Sequence, residues 1–120
     1  MDCDGEEYLC RDLVGAQIIE HRLDDAQLNK ECYRIVNWAD GIDACMELNL
    51  TTGVCHIYYP ERPNKATYLH EQNHCRGWKH GHRSFGKYRW RPMPEALHYT
   101  IGEHRTDEDC RVRNTYDDPG

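Results

Sequence analysis

The stretch His70-Glu71-Gln72-Asn73-His74-Cys75-Arg76-Gly77-Trp78-Lys79-His80 has the pattern HExxHxxGxxH, and its reading decides the rest of the chain. Four residues apart, His70 and His74 fall one helical turn from each other on one face, so both imidazoles can address one metal ion. Glu71 follows the first histidine and is placed beside the metal's open coordination position. There it can take a proton from a zinc-bound water and later return it to a leaving amine. Gly77 has no Cβ and can adopt the left-handed conformation that stops a helix. The turn it makes can bring His80 back as a third ligand. The expected cofactor is therefore one Zn2+ held by His70, His74 and His80, with Glu71 as the catalytic general base. His82 is the one alternative third ligand.

The flanks of this stretch set the fold class. Asn64 or Thr67 can cap a motif helix over residues 66–76, and Pro60 and Pro63 close off what precedes it. Residues 44–50 and 54–59 alternate apolar with polar, as strands do, and Thr51-Thr52-Gly53 between them has hairpin-turn chemistry. Residues 34–38 form a β-branched and aromatic run that predicts another strand. Asp24 and Asp25 offer N-cap chemistry for a short helix over residues 26–33, with Leu28 and Cys32 on one face. Residues 14–23 fit a first strand or the start of a helix, and residues 1–13 an acidic, irregular arm pinned by disulfides. Beyond His80, residues 81–93 predict a loop and residues 94–99 the start of a further helix, with Glu95 in its first turn. From Glu103 onward the chain is polar and predicts a frayed tail apart from Cys110. No repeat or linker interrupts the chain, so the expectation is one α+β domain over residues 1–120. In it a small, mostly antiparallel sheet packs on the helix that carries HExxH.

Composition narrows the classes further. A chain of 120 residues has room for one modest core and not for a two-lobed protease with a deep cleft. Only 38% of residues are apolar and 30% are charged, so burial needs help, and seven cysteines can supply it. Their spacings form none of the paired CxxC ribbons of a cysteine zinc site. They predict disulfides in an exported protein, secreted or periplasmic, with Cys55 and Cys75 a candidate pair joining strand to motif helix. Met1 is followed by Asp2, Asp4, Glu6 and Glu7, not by a basic start and an apolar stretch, so a leader is expected to have been removed. No apolar run approaches the ~20 residues of a membrane span. The net charge is -6, yet Arg76, Lys79, Arg83, Lys87, Arg89 and Arg91 follow one another with no acid between them. A basic island on an acidic body attracts anionic or acidic substrates and repels basic ones, while the absence of a basic overall charge counts against nucleic acid.

By its eleven-residue signature the chain resembles the metzincin zinc metallopeptidases, over about residues 54–93. The resemblance implies a minimal zincin-like domain that hydrolyses peptide or related amide bonds, with a protein or peptide as substrate. It implies a methionine turn beneath the metal, for which Met93 is the candidate, and an edge strand that binds substrate, which would be residues 54–59. It also resembles small, cysteine-containing metallopeptidase-like proteins of bacterial or phage type. Tyr88 and Tyr99 are candidates to hydrogen-bond a developing oxyanion. The histidines at 21, 56, 98 and 104 have no partner at a diagnostic spacing and are expected to be surface or core residues. The alternative function is a zinc-stabilised binding or regulatory protein that contacts an anionic partner through the basic, aromatic-rich loop 76–91.

Overall fold

The structure, a computed structural model, describes residues 3–4, 9–37, 42–79, 83–84, 87–93, 97–104 and 112–114. Along the chain run β1 (Cys3–Asp4), β2 (Gln17–Leu23), α1 (Asp25–Val36), β3 (Ile42–Asn49), β4 (Val54–Pro60) and α2 (Lys65–Cys75). They are followed by β5 (Trp78–Lys79), β6 (Arg83–Ser84), β7 (Lys87–Pro92), β8 (His98–His104) and β9 (Val112–Asn114). Two helices and a mostly antiparallel sheet give an α+β fold. The main sheet has the order β2-β4-β3-β8-β9. In it β2 lies parallel to β4, while β3 pairs antiparallel with both β4 and β8, and β8 pairs antiparallel with β9. A smaller sheet gathers β1, β5 and β6 around β7.

Neighbouring residues on a strand point to opposite faces, and the two helices use this. Cys45 and Tyr58 face α1, where Leu28, Cys32 and Val36 close one apolar cluster. Met46 and Tyr59, their sequence neighbours, join Leu48, Ile57, Tyr99 and Ile101 in the cluster that packs under α2. Each helix is also clipped to the sheet covalently, α1 by Cys32–Cys45 and α2 by Cys55–Cys75, while Cys3–Cys10 closes the N-terminal arm. Three disulfides fit an oxidising compartment. Among the described residues no helix is long and apolar enough to cross a membrane.

Several expectations from the sequence change here. Residues 34–36 are the last turn of α1 and not a strand: the Asp24 cap, accepting from the Gln27 amide, sets a helical register in which Leu28, Cys32 and Val36 stack on one face and are buried. That burial overrides the strand preference of Ile35 and Val36. Asn37, in the left-handed conformation at φ 55°, ends the helix, and Trp38 lies outside the described residues. Residues 54–59 are not an edge strand, because β4 is paired on both sides, by β2 and by β3. The stretch expected to be loop contains β6 and β7, and Trp90 of β7 is fully buried. Residues 98–104 form strand β8 where a helix was expected to begin, and Glu95 lies outside the described residues. The tail contributes β9, which pairs with β8; Cys110 is outside the described residues. The hairpin turn is as expected. Gly53 takes φ 74°, and the Asn49 side chain accepts from the amides of Thr51 and Thr52.

Candidate metal centre

Helix α2 starts where Asn64 accepts a 2.7 Å hydrogen bond from the Thr67 amide, the standard way to satisfy a first-turn donor. From Leu69 to Cys75 every residue is buried, although five of the seven are His70, Glu71, Gln72, Asn73 and His74. A helix that buries polar side chains on all sides gains little from the hydrophobic effect, so its surroundings have to hold it. The sheet holds it through Cys55–Cys75. The N-terminal arm holds the other side: the Cys10 amide donates to Asn73 Oδ1 at 2.7 Å, the Arg76 guanidinium donates to the Cys10 carbonyl, and the Leu13 amide donates to the Arg76 carbonyl.

Gly77 makes the stop its position predicts, at φ 99°. A Cβ there would also stand 3.0 Å from Val14 Cγ1, so the arm packs where a side chain would be. Its carbonyl accepts from the Met93 amide at 2.8 Å, and the Met93 side chain packs against the core cluster that contains Cys75. The turn hands the chain to β5, whose Trp78 is anchored by its indole N–H donating to the Arg11 carbonyl at 2.8 Å.

This frame brings His70, Glu71 and His74 together, with one donor atom from each within 4.8 Å of the others. Such a group can hold a metal ion. His70 is 6% exposed, and Glu71 and His74 are 0% exposed. The two imidazoles meet edge to face with centroids 4.9 Å apart, and Trp90 lies against both, at 4.8 Å from His70 and 5.2 Å from His74. His74 Nδ1 is 2.9 Å from the Trp78 carbonyl oxygen. A carbonyl cannot donate, so Nδ1 carries a proton, and in the neutral ring the lone pair is then on Nε2, the form in which an imidazole ligates a metal. His80 and His82, the candidates for third ligand, lie outside the described residues.

On the flank of α2 nearer β2, Tyr59 donates to Glu20 Oε1 at 3.1 Å, and Gln72 donates to both Glu20 Oε1 and the Tyr59 hydroxyl. Burial pushes the Tyr59 phenol far up, with the Gln72 hydrogen bond opposing and the charges of Glu20 and Glu71 adding to it. Tyr59 is thus a neutral hydroxyl at physiological pH, and it stands near the Glu71 carboxylate. Tyr99, a candidate oxyanion partner, is 2% exposed within the core cluster under α2. The side chain of Tyr88 is outside what is described. Trp78 and Trp90, counted by sequence among the aromatic contacts of a binding loop, are buried with Cys10 in a third cluster.

Compared with known proteins, the chain matches no family, no curated sequence and no solved structure.

The spacing in the sequence picks out His70, Glu71 and His74, and the fold brings these three side chains together. The Trp78 carbonyl and the Trp90 ring leave no such mark in the sequence, because both depend on how β5 and β7 return over the helix. His21 and His56 also meet, Nε2 to Nδ1 at 3.0 Å, and His98 reaches Glu47 at 2.8 Å. Those contacts are cross-strand and have no signature in the chain.

Proposed function

We propose that the chain is a zinc-dependent hydrolase of peptide or related amide bonds, a minimal zincin-like enzyme of a secreted or periplasmic setting. The observation that carries this reading is the convergence of His70, Glu71 and His74, with His74 already fixed in its ligating tautomer by the Trp78 carbonyl. The residues fit a zinc ion: two imidazole donors from one helix face, with a carboxylate within 4.8 Å of them, are a common borderline-soft ligand set. His80 is proposed as the third ligand. When bound, zinc supplies Lewis acidity, which polarises a carbonyl and acidifies water.

Everything else is the work of the chain. Glu71 accepts a proton from the attacking water and delivers it to the departing amine. Trp90, packed on both rings, limits their rotation and keeps water from surrounding them. The Tyr59–Gln72–Glu20 network fixes the flank of the helix next to Glu71. Three disulfides support the placement outside a reducing compartment.

The test is hydrolysis of peptide and cell-wall libraries by zinc-loaded protein, chelated protein and a Glu71→Gln variant. Glutamine keeps the side chain's size and cannot accept the proton. The expected result is activity in the zinc-loaded form and a drop of at least ~10²-fold in the variant, with zinc content unchanged. The complete burial of Glu71 and His74 favours a second reading, a metal-stabilised binding protein. On that reading zinc-loaded protein cleaves nothing, and chelation lowers its melting temperature.

A further inference from the structure

Sequence alone locates the basic surface at residues 76–91, but the fold gathers a second cationic group from three separate places. A cleft of 470 Å³ is lined by Arg22 of β2, by Glu61, Arg62 and Pro63 of the β4–α2 connection, and by Lys65 and Tyr68 of α2. Three cations against one carboxylate leave the lining with a net of two positive charges, on a chain whose net charge is -6. The charged residues are exposed, while Pro63 and Tyr68 are half-buried and give the cleft an apolar floor. Tyr68 is stacked on Tyr59 at 5.9 Å, so its ring is backed by the core and presents a fixed surface.

We propose that this cleft binds the acidic side chains of a peptide. Its net of two positive charges matches two carboxylates and is a poor match for the dense charge of a nucleic acid, which the acidic remainder of the molecule repels. Its volume is many times that of a single oxyanion, and its Pro63–Tyr68 floor suits the methylenes of Glu or an adjacent apolar side chain. The cleft shares helix α2 with the candidate metal centre. Tyr68 precedes Glu71 by three residues, about 4.5 Å along a helix axis, and Tyr59 beneath Tyr68 is bonded to Gln72. Where the peptide is the substrate, which rests on the hydrolase reading, acidic residues to one side of the scissile bond are preferred.

The experiment measures binding of a labelled hexapeptide with two glutamates beside a leucine, of the same peptide with glutamines, and of inorganic phosphate. Zinc-loaded Glu71→Gln protein is used so that the peptide is not cut. The acidic peptide is expected to bind about tenfold or more tightly than the glutamine peptide, and phosphate to compete poorly. Arg22→Gln/Arg62→Gln is expected to remove that difference while the far-UV spectrum and melting curve are retained, and Lys65→Gln is expected to reduce it. Raising the salt, which shortens the Debye length to about 3 Å at 1 M, weakens the acidic peptide selectively. Equal binding of the two peptides, an unaffected double variant, or phosphate competing as well as the acidic peptide overturns the proposal. Selective binding of the acidic peptide with no cleavage by wild type sinks the hydrolase and leaves the cleft standing. Cleavage with no charge preference and an unchanged KM in the double variant does the reverse.

Discussion

Gly77 links the helix stop to the packing of the N-terminal arm. Its φ of 99° is one that L side chains rarely adopt, and Val14 occupies the space a Cβ would need. Gly77→Ala is therefore expected to cost about 1–3 kcal/mol in denaturant unfolding, more than an exposed helix position would, and to weaken metal binding by shifting Trp78. A second residue-scale expectation concerns His21. Burial, and next the charge of His56, lowers its pKa below the ordinary 6.5, with Glu31 acting the other way. The unfolded chain then takes up a proton at His21 before the folded one does. Stability from this residue is fully present above pH 6.5 and is lost as the pH falls toward the lowered folded value. Unfolding measured from neutral to mildly acid pH should show that slope in wild type and a shallower one in His21→Gln. Spacing made His70, Glu71 and His74 legible, since a helix fixes what lies four residues on. The His21–His56 contact was not legible, because it depends on the parallel register that sets Ile19 against His56 and His21 against Tyr58.

At the scale of elements, α2 shows how a polar helix is kept in a buried position. Of its buried residues only Leu69 and Cys75 are apolar, and Cys75 is bonded to Cys55 on the interior strand β4. Replacing both cysteines by serine is expected to cost about 3 kcal/mol in denaturant unfolding and to lower zinc affinity, since the helix loses its covalent tie. An unchanged affinity would mean that the arm residues around Cys10 and Leu13 position the helix by themselves. The helix and the β3–β4 hairpin were readable from caps, alternation and a turn glycine. The position of β4 inside the sheet was not readable, because strand order follows from where β2 is delivered by the arm, and no local pattern records it. Nor was β7: its run of Lys, Tyr, Arg and Trp looks like a solvated loop until Trp90 is placed against two histidines.

Over the described residues the molecule is a sheet between two helices, with a small second sheet around β7, and it compensates for a thin apolar complement with cross-links. Each helix has its own disulfide to the sheet, and the arm that closes over α2 is pinned by a third. This arrangement leaves the sheet-facing sulfurs Cys55 and Cys75 joined to each other, so they are not offered to a metal. On the proposed function His70 and His74 hold zinc. X-ray absorption at the zinc edge, on protein loaded to saturation and dialysed, tests it most directly. The expected result is one zinc per chain, coordinated by nitrogen and oxygen only, with imidazole scattering from at least two rings that disappears in His70→Ala/His74→Ala. Zinc coordinated by sulfur, or no zinc retained above the level of that double variant, would contradict it.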